Sequence, residues 1–188
     1  MSMIPYPYNR LGAHDEVAGG AVSGEKGVFT YLRNGSLYQK AMTIENAFLH
    51  SSKVSRMEVS SAGTALHTTI HYGGTMHIMA DGVADGAVVN SYGRVYLSSG
   101  GTLKAPEVNF SGQVYVSAGG LVADGAINSL GRVFVRSGGT ASGMVISPSG
   151  SLTGEGNDNR FVSCVHLANG YFHPGNNARV EHATVGSG

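Results

Sequence analysis

The chain has no tryptophan, one cysteine, five prolines and only 13% charged residues among its 188. A lone Cys164 excludes an internal disulfide and a cysteine-built zinc site. Beside Val165 it reads as a small, partly buried hydrophobe rather than a reactive thiol. Excess charge is also missing, since 12 Lys+Arg are balanced by 12 Asp+Glu. Neither nucleic-acid binding nor membrane-surface binding is therefore expected as a partner class. No apolar run approaches the length that spans a bilayer, so this segment is not expected to insert. The opening Met1-Ser2-Met3-Ile4-Pro5-Tyr6-Pro7-Tyr8 lacks the basic start and apolar core of a secretion signal. From 56 to 150 no helix-length stretch is free of glycine, which removes helix from that region.

What is present is glycine in register. Twenty-nine glycines occur without the every-third spacing of a collagen. Cut into nineteens, residues 56–74, 75–93, 94–112, 113–131 and 132–150 align without a gap. The eighth position is Gly63, Gly82, Gly101, Gly120 and Gly139, and the last is Gly74, Gly93, Gly112, Gly131 and Gly150. The fifteenth is always Ile or Val: Ile70, Val89, Val108, Ile127 and Ile146. Positions two and four are apolar throughout, from Met57 and Val59 to Val133 and Val135. Alternation of this kind is the period of a strand with one buried face.

Each unit therefore reads as a strand, a corner at the glycines of positions seven and eight, a second shorter strand ending at position fifteen, and a small polar closing turn. One such turn cannot bury its own apolar face, but stacking at about 4.8 Å pairs strand with strand and aligns like residues in columns. The expected fold is all-β, a parallel β-helix (β-solenoid) of 19-residue rungs; two-faced and three-faced cross-sections both satisfy the pattern. Residues 1–27 read as an irregular leader or cap. Residues 28–188 read as the solenoid: a worn first rung with an insertion over 28–55, five regular rungs over 56–150, and degenerate rungs over 151–188. In that reading Gly35 takes the eighth position, and residues 47–55 break the register.

The phrases Val133-Phe134-Val135-Arg136-Ser137-Gly138-Gly139-Thr140-Ala141 and Val114-Tyr115-Val116-Ser117-Ala118-Gly119-Gly120 resemble the repeats of AIDA-type passenger domains of bacterial autotransporter adhesins. The likeness covers about half of the chain. It implies a β-helical fold, display outside the cell or on its surface, and a role in attachment or self-association. It does not name a ligand; a cell-surface glycan or host-surface ligand is the partner class implied.

Several columns are candidates for chemistry. Position three points outward if two and four point in, and carries Glu58, His77, Tyr96, Tyr115 and Phe134. Tyr96, Tyr115 and Phe134 then form an aromatic ridge, first of all a cross-strand stabiliser, and also a strip for sugars or a partner. Position sixteen carries Asn90, Asn109 and Asn128, an expected amide ladder of structural purpose. Tyr171 and Phe172 lie on the last rung, an edge expected to drive homo-oligomer formation. His67, His71 and His77 fall at positions twelve, sixteen and three, too dispersed for a metal, so no metal or cofactor is expected. Asp85 and Asp124 share an Ala-Asp-Gly-Ala phrase two rungs apart. They are the nearest approach to a carboxylate pair, the basis of the alternative of a carbohydrate-active β-helix enzyme or glycan-binding module. Asp-Gly is also a turn dipeptide, and the expectation is a non-catalytic surface solenoid.

Overall fold

The computed structural model describes residues 63–186 continuously, together with Leu49 and Arg56–Ser60. Ahead of these it describes the backbone of Ala21–Gly24, Val28–Arg33, Ser36–Lys40, Thr43–Glu45 and Phe48. Every regular element among the described residues is a strand. From Ser36 onward the strands come in triplets, and each member of a triplet belongs to a different sheet. In the rung 94–112 the three are Arg94–Leu97, Thr102–Lys104 and Glu107–Val108. Each pairs in parallel with its counterpart nineteen residues on, so Val95 lies opposite Val114, Leu103 opposite Val122 and Val108 opposite Ile127. The result is a three-faced prism, a parallel β-helix.

The two-strand rung expected from the glycine spacing becomes three strands. The corner missed lies at position twelve, where the backbone is left-handed in each of the seven rungs from Arg56 onward. It is occupied by His67, Gly86, Ala105, Asp124, Gly143, Ser163 and His182. Only two of these are glycine, so the corner carries no compositional mark. The glycine columns turn out to have two causes. At position seven Gly100, Gly119 and Gly138 have φ of 79°, 71° and 74°, which L side chains adopt only with strain. At position nineteen the cause is close approach. A Cβ on Gly74 would lie 2.5 Å from the Leu49 carbonyl oxygen, and Gly93, Gly112, Gly131 and Gly150 meet the position-fifteen carbonyl of the rung before in the same way.

The core is a stack of five-residue layers. Positions two, four and fifteen are buried as the alternation requires, and positions ten and thirteen join them. Volume shifts around the triangle from layer to layer. Met57 and Met76 at position two face Ala65 and Ala84 at position ten; Val95 and Val114 face Leu103 and Val122; Val133 and Ala141 leave room for Met144 at position thirteen. Volume-conserving exchanges of this kind keep packing dense while the sequence varies. Cys164 belongs to the position-thirteen column, 2% exposed, and burial pushes its thiol pKa up.

Two departures from the regular array are informative. Ser36 lies opposite Arg56 and Phe48 opposite Thr69, so the first rung opens at Ser36. The register that put Gly35 at position eight is therefore displaced. Val28–Arg33 instead runs antiparallel to Ser36–Lys40, and Ala21–Gly24 antiparallel to Val28–Arg33. The segment expected to be irregular thus contains a strand, while residues 1–20 lie outside those described. At the other end Gly154 lies opposite Val135, in the interior slot that an aliphatic side chain fills in earlier rungs. Asn159, immediately before Arg160–Val162, is fully buried, and neither of its amide atoms has a hydrogen-bond partner among the described residues. Its Nδ2 lies 2.8 Å from where a Gly154 Cβ would be. The missing side chain at Gly154 makes the space that the Asn159 amide occupies.

Candidate functional site

Outward-facing columns on the first face are set by strand alternation, and there the position-three residues stack. Ring centroids of His77 and Tyr96 are 4.9 Å apart, Tyr96 and Tyr115 5.1 Å, Tyr115 and Phe134 5.0 Å. The interplanar angles of 23°, 9° and 13° make this a nearly parallel stack along the axis. All four side chains are half-buried. The Arg136 guanidinium carbon lies 5.0 Å from the Tyr115 centroid, and Tyr115 Oη donates to Gln113 Oε1 at 2.9 Å. Because each ring covers the next, a partner meeting this ridge touches ring edges and hydroxyls, not open faces.

At position sixteen Asn109 Nδ2 donates to Asn90 Oδ1 at 2.9 Å, and Asn128 Nδ2 donates to Asn109 Oδ1 at 2.7 Å. Ser147 Oγ extends the chain to Asn128 Oδ1 at 3.4 Å. Tyr171 and Phe172 differ from one another: Tyr171 is 55% exposed, while Phe172 packs edge-to-face on the buried Phe161 at 5.2 Å.

The closing turn is where the reading of small and polar residues fails. Positions sixteen to nineteen form a four-residue turn closed by a backbone hydrogen bond, as from Gly93 N–H to Asn90 O at 2.7 Å. The two central positions hold one large apolar residue in each of the five regular rungs: Tyr72, Tyr92, Phe110, Leu130 and Pro148. Tyr72, Tyr92 and Phe110 are 53%, 58% and 55% exposed, and Leu130 is 44%. Position eighteen is left-handed, with φ of 65° at Tyr92 and 59° at Leu130; Tyr72, one position earlier, has φ of 40°. A turn of this kind favours glycine or asparagine there, and a bulky residue costs about 1–2 kcal/mol. The strip is held as firmly as the faces. Ser91 N–H donates to Phe110 O at 2.8 Å and Leu130 N–H to Ser149 O at 3.0 Å, rung to rung. The signal that could have found it is the size of residues at turn positions, which the emphasis on glycine and serine obscured.

Beside this corner, position one of the first face carries Arg56, Thr75, Arg94, Gln113 and Arg132 in register. Arg56 is paired with Glu58 at 3.2 Å. Arg94 Nε donates to Gln113 Oε1 at 3.3 Å, and neither Arg94 nor Arg132 has a carboxylate partner among the described residues. Both are exposed.

The acidic pair separates. Asp85 lies opposite Lys104, which lies opposite Ala123, whereas Asp124 occupies the left-handed corner with φ of 57°. The shared phrase is offset by one residue between the rungs, so the two carboxylates stand in different columns. His67 and His71 stand at two different corners and His77 on the first face; among the described residues no three metal-ligating side chains converge.

No family model and no curated protein matches the chain. Among solved structures it is similar to the TibC-catalyzed hyper-glycosylated fragment of TibA, with 21% identity, a TM-score of 0.32, and coverage of 82% of this chain and 96% of that one.

Proposed function

We propose that this chain is an adhesin-like β-solenoid, displayed at a cell surface, that works by attachment rather than catalysis. The observation that supports this most is the corner strip. Rungs otherwise nearly interchangeable keep Tyr72, Tyr92, Phe110 and Leu130 exposed, two of them where glycine would cost less. Exposed contiguous apolar surface on a stable scaffold is an interaction site, and strain retained where the fold gains nothing from it points to function. A cell-surface glycan or host-surface ligand is the partner this reading implies, and self-association into a homo-oligomer is its second expression. The AIDA-type likeness carried by the phrases Val114–Gly120 and Val133–Ala141 agrees with it.

The test is attachment of beads coated with the wild-type chain or with a Tyr92→Asn/Phe110→Ser variant to a panel of cell surfaces, with sedimentation of both in parallel. Attachment lost in the variant, at unchanged circular dichroism, is expected. Equal attachment by a folded variant would remove the strip as the site.

A further inference from the structure

We propose that the corner strip is a track for an extended acidic polysaccharide built from a disaccharide repeat, lying along the solenoid axis. This rests on the attachment reading and names its ligand. The backbone repeats every rung, but the two columns bordering the corner repeat every second rung. The large apolar residue alternates between positions seventeen and eighteen: Tyr72, then Tyr92, Phe110, Leu130 and Pro148. Its small companion alternates in the opposite sense: Gly73, Ser91, Ser111, Ser129 and Ser149. In the adjoining column, arginine recurs at every second rung, Arg56, Arg94 and Arg132, with Thr75 and Gln113 between.

A ligand matched to this surface has units that advance about one rung each, ~5 Å, and a chemical repeat of two units, ~10 Å. Extended polysaccharides have this form. The apolar faces of sugar rings lie against exposed aromatic side chains, and neutral hydroxyls meet the Ser91, Ser111 and Ser129 hydroxyls and the flanking asparagine amides. The charge is specified as well. Arg94 and Arg132, two rungs apart and exposed, lack carboxylate partners among the described residues, while Arg56 is already paired with Glu58. Glu107 stands on the far flank of the corner, on the third face. Two unmatched guanidiniums at a disaccharide spacing call for one carboxylate on every second sugar, held by charge-assisted hydrogen bonds. The stacked ridge Tyr96/Tyr115/Phe134 is a poorer track, because its ring faces are covered.

The experiment is calorimetric titration of the full chain with a hyaluronan octasaccharide, which carries a uronate on alternate sugars, and with the same octasaccharide after carboxyl reduction. The native sugar should bind about tenfold or more tightly than the reduced one, and lose that margin in 0.5 M salt. Arg94→Gln/Arg132→Gln should bind both forms alike, and Tyr92→Asn/Phe110→Ser should bind neither. Equal binding of native and reduced sugar by the wild type overturns the charge assignment, and undiminished binding by the folded Tyr92→Asn/Phe110→Ser variant overturns the track. If the chain binds neither sugar yet beads still attach to cells through the strip, the ligand class is wrong and the attachment reading stands. Failure of both assays ends both readings.

Discussion

The molecule carries two aromatic columns on one side of the prism, and they have opposite physical character. His77, Tyr96, Tyr115 and Phe134 stack ring on ring, half-buried, on regular strand backbone. Tyr72, Tyr92, Phe110 and Leu130 stand at a corner, 44–58% exposed, with three of the four in left-handed conformation. The first column contributes to the fold. The second is carried by the fold at some cost. Stability and attachment should therefore respond to mutation in opposite columns, and that separation can be attacked directly.

The largest effect is expected in neither column but in the scaffold that holds both. Val116→Asp places an unpartnered carboxylate in the core, a loss of about 4–5 kcal/mol in denaturant unfolding. Gly131→Ala, whose Cβ would meet the Val108 carbonyl, should cost roughly 3 kcal/mol. Within the ladder, Tyr115→Ser removes two ring contacts, about 2 kcal/mol, and should leave attachment intact. In the strip, Tyr92→Asn should raise stability by up to about 1 kcal/mol while attachment falls. A stabilised Tyr92→Asn that attaches as before, or a Tyr115→Ser that detaches without unfolding, would erase the distinction between the columns.

The smallest effect concerns His77. Burial holds its pKa below the ordinary 6.5, Arg56 lowers it further and Glu58 opposes. As pH falls below 6.5 the unfolded chain takes up a proton that the folded chain resists, so stability declines with falling pH in that window. His77→Phe should flatten that part of the pH–stability curve; an unchanged slope would place the titrating group elsewhere.

What was legible in the sequence and what was not divides along the same line. The parallel β-helix could be read because interior positions are chemically restricted: Val, Ile, Met and Leu at two and four, Ile or Val at fifteen, Gly at nineteen. The third face was not legible because the corner that creates it accepts histidine, alanine, aspartate and serine in left-handed backbone, leaving no repeated letter. The first rung was misplaced for a related reason. Gly35 matches the column pattern, but strand pairing, which fixes Ser36 opposite Arg56, depends on contacts between distant residues. The stacked columns at positions three and sixteen followed from register alone. The corner strip did not, since its defining property is exposure, which a turn-forming composition conceals.

The position-nineteen glycines have a consequence beyond packing. Each of the five regular rungs meets the same carbonyl of the rung before at the same place, and accepts it with the same bare Cα. Adjacent rungs are therefore exchangeable tiles, and an in-frame duplication or deletion of one nineteen-residue unit leaves every backbone contact solvable as before. Two units at a time would also conserve the alternation at the corner. Recombination between neighbouring repeats can thus lengthen or shorten such a rod by about 4.8 Å per unit, so that its length becomes a heritable trait adjustable without redesign of the fold.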